Sequence, residues 1–237
     1  MTTFEEIFLN IFLMILCYAY VILIIVISGG INRVCNISQK TARKFLHIMI
    51  GNLPLIIPFF SLAIFPTLVA APFILITFLA TPYSPFKGVS NRLKGLSVLT
   101  EEGHQWGLVF YAIAYTVLAF LFSVKAYIIA VGILPMAYGD AAASIVGEKY
   151  GKHVFRLVAR KSLEGSMAMF LVCFASLASS MLFFSYIYQF SFFSRILSLL
   201  VVSVVATVVE AISPMGFDNL TIPFFSVLTF LVYQGGV

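Results

Sequence analysis

Four carboxylates, Asp140, Glu164, Glu210 and Asp218, stand in or beside long apolar runs, where an acid is rare unless it has a task. Asp140 breaks the run that starts at Ala126 and ends at Gly147. It precedes Gly147 by seven residues, roughly 10 Å along a helix rising 1.5 Å per residue. An acid at the centre of a membrane helix costs about 2.5–3.5 kcal/mol on insertion scales. Ser144 follows one turn later. A basic, glycine-bearing loop comes next, Glu148-Lys149-Tyr150-Gly151-Lys152-His153, and then Ala159-Arg160-Lys161-Ser162-Leu163-Glu164-Gly165. An acid next to cations at a membrane surface points to anion chemistry. Ser162 is placed to cap the following helix, leaving N–H groups and a positive dipole end that suit phosphate. Lys161 adds a full charge.

Further along, Ser203, Thr207 and Glu210 fall at i, i+4 and i+7 on one face of a valine-rich segment. Asp218 or Thr221 is placed to cap the last helix, with Pro223 in its first turn. Upstream, Arg43, His47 and Gly51 share a face at i, i+4 and i+8, beside Lys44. Glu101, Glu102 and His104 open another apolar segment, whose face Tyr111 continues. Gly139, Ala143, Gly147 and Gly151 form a small-xxx-small stripe that lets another backbone approach. Ordinary roles exist for several of these: helix packing for the stripe and for His47, snorkelling for Arg43 and Lys44, and terminal charge for Glu101 and Glu102. Taken together, the carboxylates offer the hard oxygen ligands that Mg²⁺ prefers, and the cations match phosphate charge. A nucleoside triphosphate with its metal satisfies both, met at the bilayer surface by an amphiphile from the membrane.

The elements that carry these residues are membrane helices. The 237 residues are 62% hydrophobic and 10% charged, with mean hydropathy +1.08. About 20 apolar residues span a bilayer as a helix, and several such runs are present; a β-barrel would alternate in shorter segments. The reading is an all-α, polytopic bundle of about seven to eight transmembrane helices forming one domain, 1–237. The segments are Ile7–Gly30, Phe45–Phe60, Leu62–Ala80, His104–Phe122, Ala126–Gly147, Glu164–Ile187, Ile196–Ile212 and Thr221–Tyr233. Pro54, Pro58 and Pro66 make the second-to-third region kinked or re-entrant.

With the N-terminus outside, Arg33, Lys40, Arg43, Lys44, Lys87, Arg92, Lys94, Lys149, Lys152, Arg156, Arg160 and Lys161 are cytoplasmic. Lys125 and Arg195 are external, 12 cations against 2. The pI near 9.1 therefore reports orientation before any nucleic-acid partner, and none is expected. Only Glu5 and Glu6 precede the first apolar run, which argues against a cleaved leader. Cys17, Cys35 and Cys173 show no disulfide or metal-ligand spacing.

The motifs Gly139-Asp140…Ala143…Gly147…Gly151-Lys152, Lys161-Ser162-Leu163-Glu164-Gly165-Ser166 and Asp218-Asn219-Leu220-Thr221-Ile222-Pro223, with Arg43-Lys44…His47 upstream, resemble the CTP-dependent lipid-alcohol kinases. These include dolichol kinase, phytol kinase and yeast-type diacylglycerol kinase. The resemblance covers about residues 40–235. It implies transfer of the γ-phosphoryl group of CTP to a long isoprenoid alcohol, dolichol- or polyprenol-like, at the cytoplasmic face. The membrane would be the cell membrane of a prokaryote or the endoplasmic reticulum of a eukaryote. Asp140 and Asp218 would hold Mg²⁺ or another divalent cation, with Glu210 and Glu164 as further ligands or as orienters of a basic side chain. Arg43, Lys44, Lys152, Lys161, the Ser162 helix start and Asn219 would hold the nucleotide, which Gly147 and Gly151 would let approach. Asp140 or His47 would take the alcohol proton. A relative, phosphatidate cytidylyltransferase, shares a Gly-Asp segment but has a longer signature ending in paired aspartates, where this chain has Pro214-Met215-Gly216-Phe217-Asp218-Asn219. An ion-coupled transporter is the non-enzyme alternative; it would place its acids near the midplane of two related halves.

Overall fold

The computed structural model describes residues 3–34, 38–88, 105–214 and 216–234. The chain is an all-α membrane bundle with one short hairpin, and it divides into two compact units, Met1–Ala126 and Tyr127–Val237. Apolar sequence runs straight through Ala126-Tyr127-Ile128, so composition shows no break there. Among the described residues, Thr3–Gly30, Gly107–Tyr150, Leu163–Tyr188 and Phe193–Ile212 are long and apolar enough to cross a bilayer. Phe65–Leu79 and Asp218–Tyr233 are shorter apolar helices.

The first unit contains α1 (Thr3–Val34), α2 (Gln39–Ile50), α3 (Phe65–Leu79) and α4 (Gly107–Phe122). α2 starts six residues before the expected Phe45 because Ser38 caps it, accepting from Thr41 N at 3.2 Å. It stops at Ile50, and Pro54 and Pro58 convert the continuation into two 3₁₀ turns, Leu53–Leu55 and Ile57–Phe59. Buried Asn10 of α1 secures the next turn: its Nδ2 donates to Ser61 Oγ at 2.6 Å, and its Oδ1 accepts from Leu62 N at 3.1 Å.

Pro72 lies inside α3, where its missing N–H deprives Leu68 O of the usual helical donor. The Tyr18 hydroxyl of α1 donates to that carbonyl at 2.6 Å, so no backbone acceptor is stranded in an apolar setting. Tyr20 of α1 ties down the end of α2, donating to Met49 O at 2.7 Å. Ile24, Ala42, Leu46, Ala80 and Leu108 close a core between these helices.

The second unit is built around α5 (Ala126–Leu134), buried on every side, as a helix without a polar face must be. One π turn, Pro135–Gly139, joins it to α6 (Asp140–Tyr150). An antiparallel hairpin follows, β1 (Val154–Arg156) and β2 (Arg160–Ser162), pairing Phe155 with Lys161. Then come α7 (Leu163–Tyr188), α8 (Ile196–Ile212) and α9 (Asp218–Tyr233). At the Tyr127 end of this unit, Arg195 lies over the rings of Phe190 at 3.9 Å and Tyr127 at 4.8 Å.

Of the expected segments, Ile196–Ile212 matches at both ends, and Leu163–Tyr188 departs from Glu164–Ile187 by one residue at each. The last helix departs. It begins at Asp218, its cap position is Phe217, and neither Asp218 nor Thr221 caps it. Thr221 Oγ1 instead donates back to Phe217 O at 3.1 Å, and Pro223 falls in the second turn. Glu101, Glu102, His104, Arg92, Lys94 and Cys35 lie outside the described residues.

Candidate active site

Asp140 owes its position to the π turn. Pro135 opens that turn without an N–H to donate, and the turn packs against α7, α8 and α9. Such π segments interrupt helices often at functional sites. Asp140 follows directly as the first residue of α6 and is 5% exposed. Nothing in the expected continuous helix Ala126–Gly147 revealed this break; Pro135 was its single sequence signal.

The α6 stripe meets α7. A methyl on Gly139 would fall 2.7 Å from Met169 Sδ, and one on Gly165 would fall 2.8 Å from Ala143 O. Gly147 and Gly151 present their open faces to Ser162 Oγ, 3.2 and 2.8 Å from where a Cβ would stand. The small residues thus let α6, the hairpin base and α7 approach to backbone contact.

That approach sets the start of α7. Ser162 caps the helix, accepting from Gly165 N at 3.1 Å. Leu163 N donates to His153 O at 3.0 Å. The amides of Leu163 and Gly165 are therefore engaged within the protein. Glu164, in the first turn, accepts from His153 N at 3.2 Å and contacts His153 Nδ1 at 2.7 Å, which ties the hairpin base to α7. Glu164 faces His153, while the other three carboxylates act on Lys161.

Lys161 stands on β2 and reaches across to α8, where its ammonium donates to Glu210 Oε1. The Glu210 side chain is 3% exposed and that of Lys161 22%. Burial by itself would pull the Lys161 pKa down, but the touching Glu210 carboxylate, reinforced by the charges of Asp140 and Asp218, raises it above the ordinary lysine value. One carboxylate, Glu210 of α8, touches the ammonium, and the charges of Asp140 and Asp218 act on it electrostatically. Ser203 and Thr207, which share the Glu210 face, donate to Leu199 O and Ser203 O of their own helix.

Asp218 and Asn219 open α9, both buried. Asp218 Oδ1 accepts from Asn219 N at 2.9 Å, and Asn219 Oδ1 is buried without a hydrogen-bond partner. Gly216 leads into this turn at φ 87°, a conformation that glycine adopts without strain. Lys152 lies exposed at the end of α6.

A divalent cation was expected on Asp140, Glu210 and Asp218. Among the described residues, no group of three or more His, Cys, Asp or Glu side chains is gathered closely enough to hold one by itself. The donor chemistry nevertheless fits Mg²⁺, which commonly takes one or two carboxylates and completes its shell with substrate phosphates and water.

In the first unit, Arg43, Lys44 and His47 are all buried on α2. The His47 ring packs 4.8 Å from that of Tyr111, whose hydroxyl donates to His47 O at 3.2 Å.

Set beside known proteins, the chain is 31% identical to phytol kinase of Synechocystis sp. over 220 residues, covering 90% of this chain and 88% of that protein. It is 33% identical to a probable chloroplastic phytol kinase 2 of Oryza sativa over 210 residues, 80% of this chain and 65% of that one. CTP-dependent diacylglycerol kinase 1 of Schizosaccharomyces pombe is 33% identical over 89 residues, 37% of this chain and 39% of its own. No protein-family model matches the chain. No solved structure matches it either.

Proposed function

Since the chain belongs to the family of CTP-dependent polyprenol and phytol kinases, we propose that it transfers the γ-phosphoryl group of CTP to the hydroxyl of a long-chain isoprenoid alcohol at the cytoplasmic face of its membrane. The observation that supports this reading is the part-buried Lys161–Glu210 ion pair, on which the charges of Asp140 and Asp218 also act. Phosphoryl transfer asks a protein chiefly for positioning and for neutralisation of charge, and a mixed acid–ammonium cluster supplies both.

In this reading Lys161 binds a phosphate oxygen, and Glu210 holds its ammonium in place and charged. Asp140 and Asp218 take the divalent cation, which when bound neutralises the phosphate charge developing during transfer. Ser162, Gly147, Gly151 and Gly165 hold the strand bearing Lys161 against α6 and α7. Lys152 is placed to meet the outer phosphates, and the orphaned Asn219 Oδ1 is an acceptor for a ligand N–H. Glu164 acts through His153 by fixing the hairpin base. Proton removal falls to Asp140.

The deciding experiment gives purified protein CTP labelled at either the γ- or the α-phosphate, with a panel of isoprenoid alcohols, diacylglycerol and phosphatidate. The reading expects γ-label in the lipid and CDP as co-product. Lipid labelled only from the α-phosphate, with release of pyrophosphate, would replace the kinase with a cytidylyltransferase.

A further inference from the structure

The first unit encloses a cavity that the site above does not use. Its volume is about 60 Å³, and it is partly open to the surroundings. Its wall is apolar: α1 contributes Val21 and Ile25, α3 Ala70 and Phe73, and α4 Ala112 and Tyr115. An internal space walled by aliphatic and aromatic groups stays dry and takes apolar ligands.

Two features argue for a long-chain alcohol as the occupant. Leu46 and Ile50 of α2 also line the cavity, and they share a stripe of that helix with Arg43 and His47, at i, i+3, i+4 and i+7. The apolar space therefore adjoins the buried basic side chains. In addition, Tyr111 lines the cavity, and its ring packs 4.8 Å from that of His47. An apolar chamber bordered by buried polar side chains suits an amphiphile with one small polar end.

We propose that this cavity, between α1, α2, α3 and α4, binds the hydroxyl-proximal isoprenoid segment of the acceptor alcohol. The identity of the chain rests on the kinase reading; its place rests on the cavity.

The test uses the full-length protein in nanodiscs and a twenty-carbon prenyl alcohol carrying a diazirine near its hydroxyl end, with adducts mapped by mass spectrometry. Adducts are expected on α3 and α4 peptides bearing Phe73 and Ala112–Tyr115. Excess unlabelled prenyl alcohol should suppress them, and phospholipid should not. Adducts confined to other segments, or equal suppression by phospholipid, would overturn the proposal; the second result would make the cavity a seat for bilayer acyl chains. This readout needs no turnover, so it stands apart from failure of the kinase reading.

With activity in hand, Ala112→Phe should raise the KM for a phytol-length alcohol by about tenfold or more, the effect of losing the burial of a few methylenes. The KM for CTP should stay unchanged, and a five-carbon alcohol should be affected less. An unchanged alcohol KM in a folded variant refutes the proposal. Should Ala112→Phe not fold, Ala70→Leu makes the same measurement with a smaller intrusion.

Discussion

Lys161 and Glu210, 49 residues apart, form a part-buried ion pair that joins a surface hairpin to the end of a membrane helix. The pair links two otherwise separate structural facts. The hairpin is held at its base by Ser162, Gly165 and the His153–Glu164 contact, and α8, which carries Glu210, packs against the π turn that precedes Asp140.

Breaking a buried ion pair by removing one partner costs up to about 3–5 kcal/mol in proteins. Lys161→Met and Glu210→Leu should each lower thermal stability in detergent, and the double variant should be more stable than the sum of the single losses predicts. Strict additivity in this double-mutant cycle would mean that the two charges do not act as a pair.

The raised pKa of Lys161 has a direction that can be read in stability. A group whose folded pKa exceeds its unfolded value of 10.5 contributes stability that is fully present below that value and lost as pH rises through the folded pKa. Between pH 7 and 10 the contribution of Lys161 should thus be constant, declining only in more alkaline solution. Melting curves of wild type and Lys161→Met, compared from pH 7 to 11.5, should keep a constant gap at first and converge at the alkaline end. Convergence already near pH 8 would contradict the assignment.

Asp140→Asn preserves the shape of a buried side chain and removes its charge. Turnover should fall to below about one hundredth of wild type, in line with the loss of one charge-stabilising group, while insertion and the melting temperature stay close to native. Near-normal turnover would take Asp140 out of the chemistry and leave it a packing role at the π turn.

Glycine substitutions separate contact from composition. Gly165→Ala puts a methyl 2.8 Å from Ala143 O, a backbone atom with little freedom to move, and overpacking of this kind costs about 1–3 kcal/mol. Gly30→Ala meets nothing within 4 Å and should be neutral or slightly stabilising, since alanine is the better helix former. Equal tolerance of both changes, measured by thermal melting, would contradict backbone-level contact between α6 and α7.

Sequence alone was enough for the membrane bundle, because long apolar runs have few other places to go and the lipid requires helical backbone within them. It also singled out Asp140, Lys161, Glu210 and Asp218, because a charge among apolar neighbours stands out in one dimension. The cap at Ser162 was legible for a local reason: a side chain bonding an amide three residues on needs no knowledge of the rest of the fold. What the spacing could not supply was partnership. Glu164 and Glu210 look alike in sequence, yet one faces His153 and the other Lys161, a difference set by the hairpin that turns the chain between α6 and α7. The π turn before Asp140 and the cavity beside Tyr115 were hidden as well. Both arise from how helices distant in sequence fill the space between them, and that packing exists only once the chain has folded.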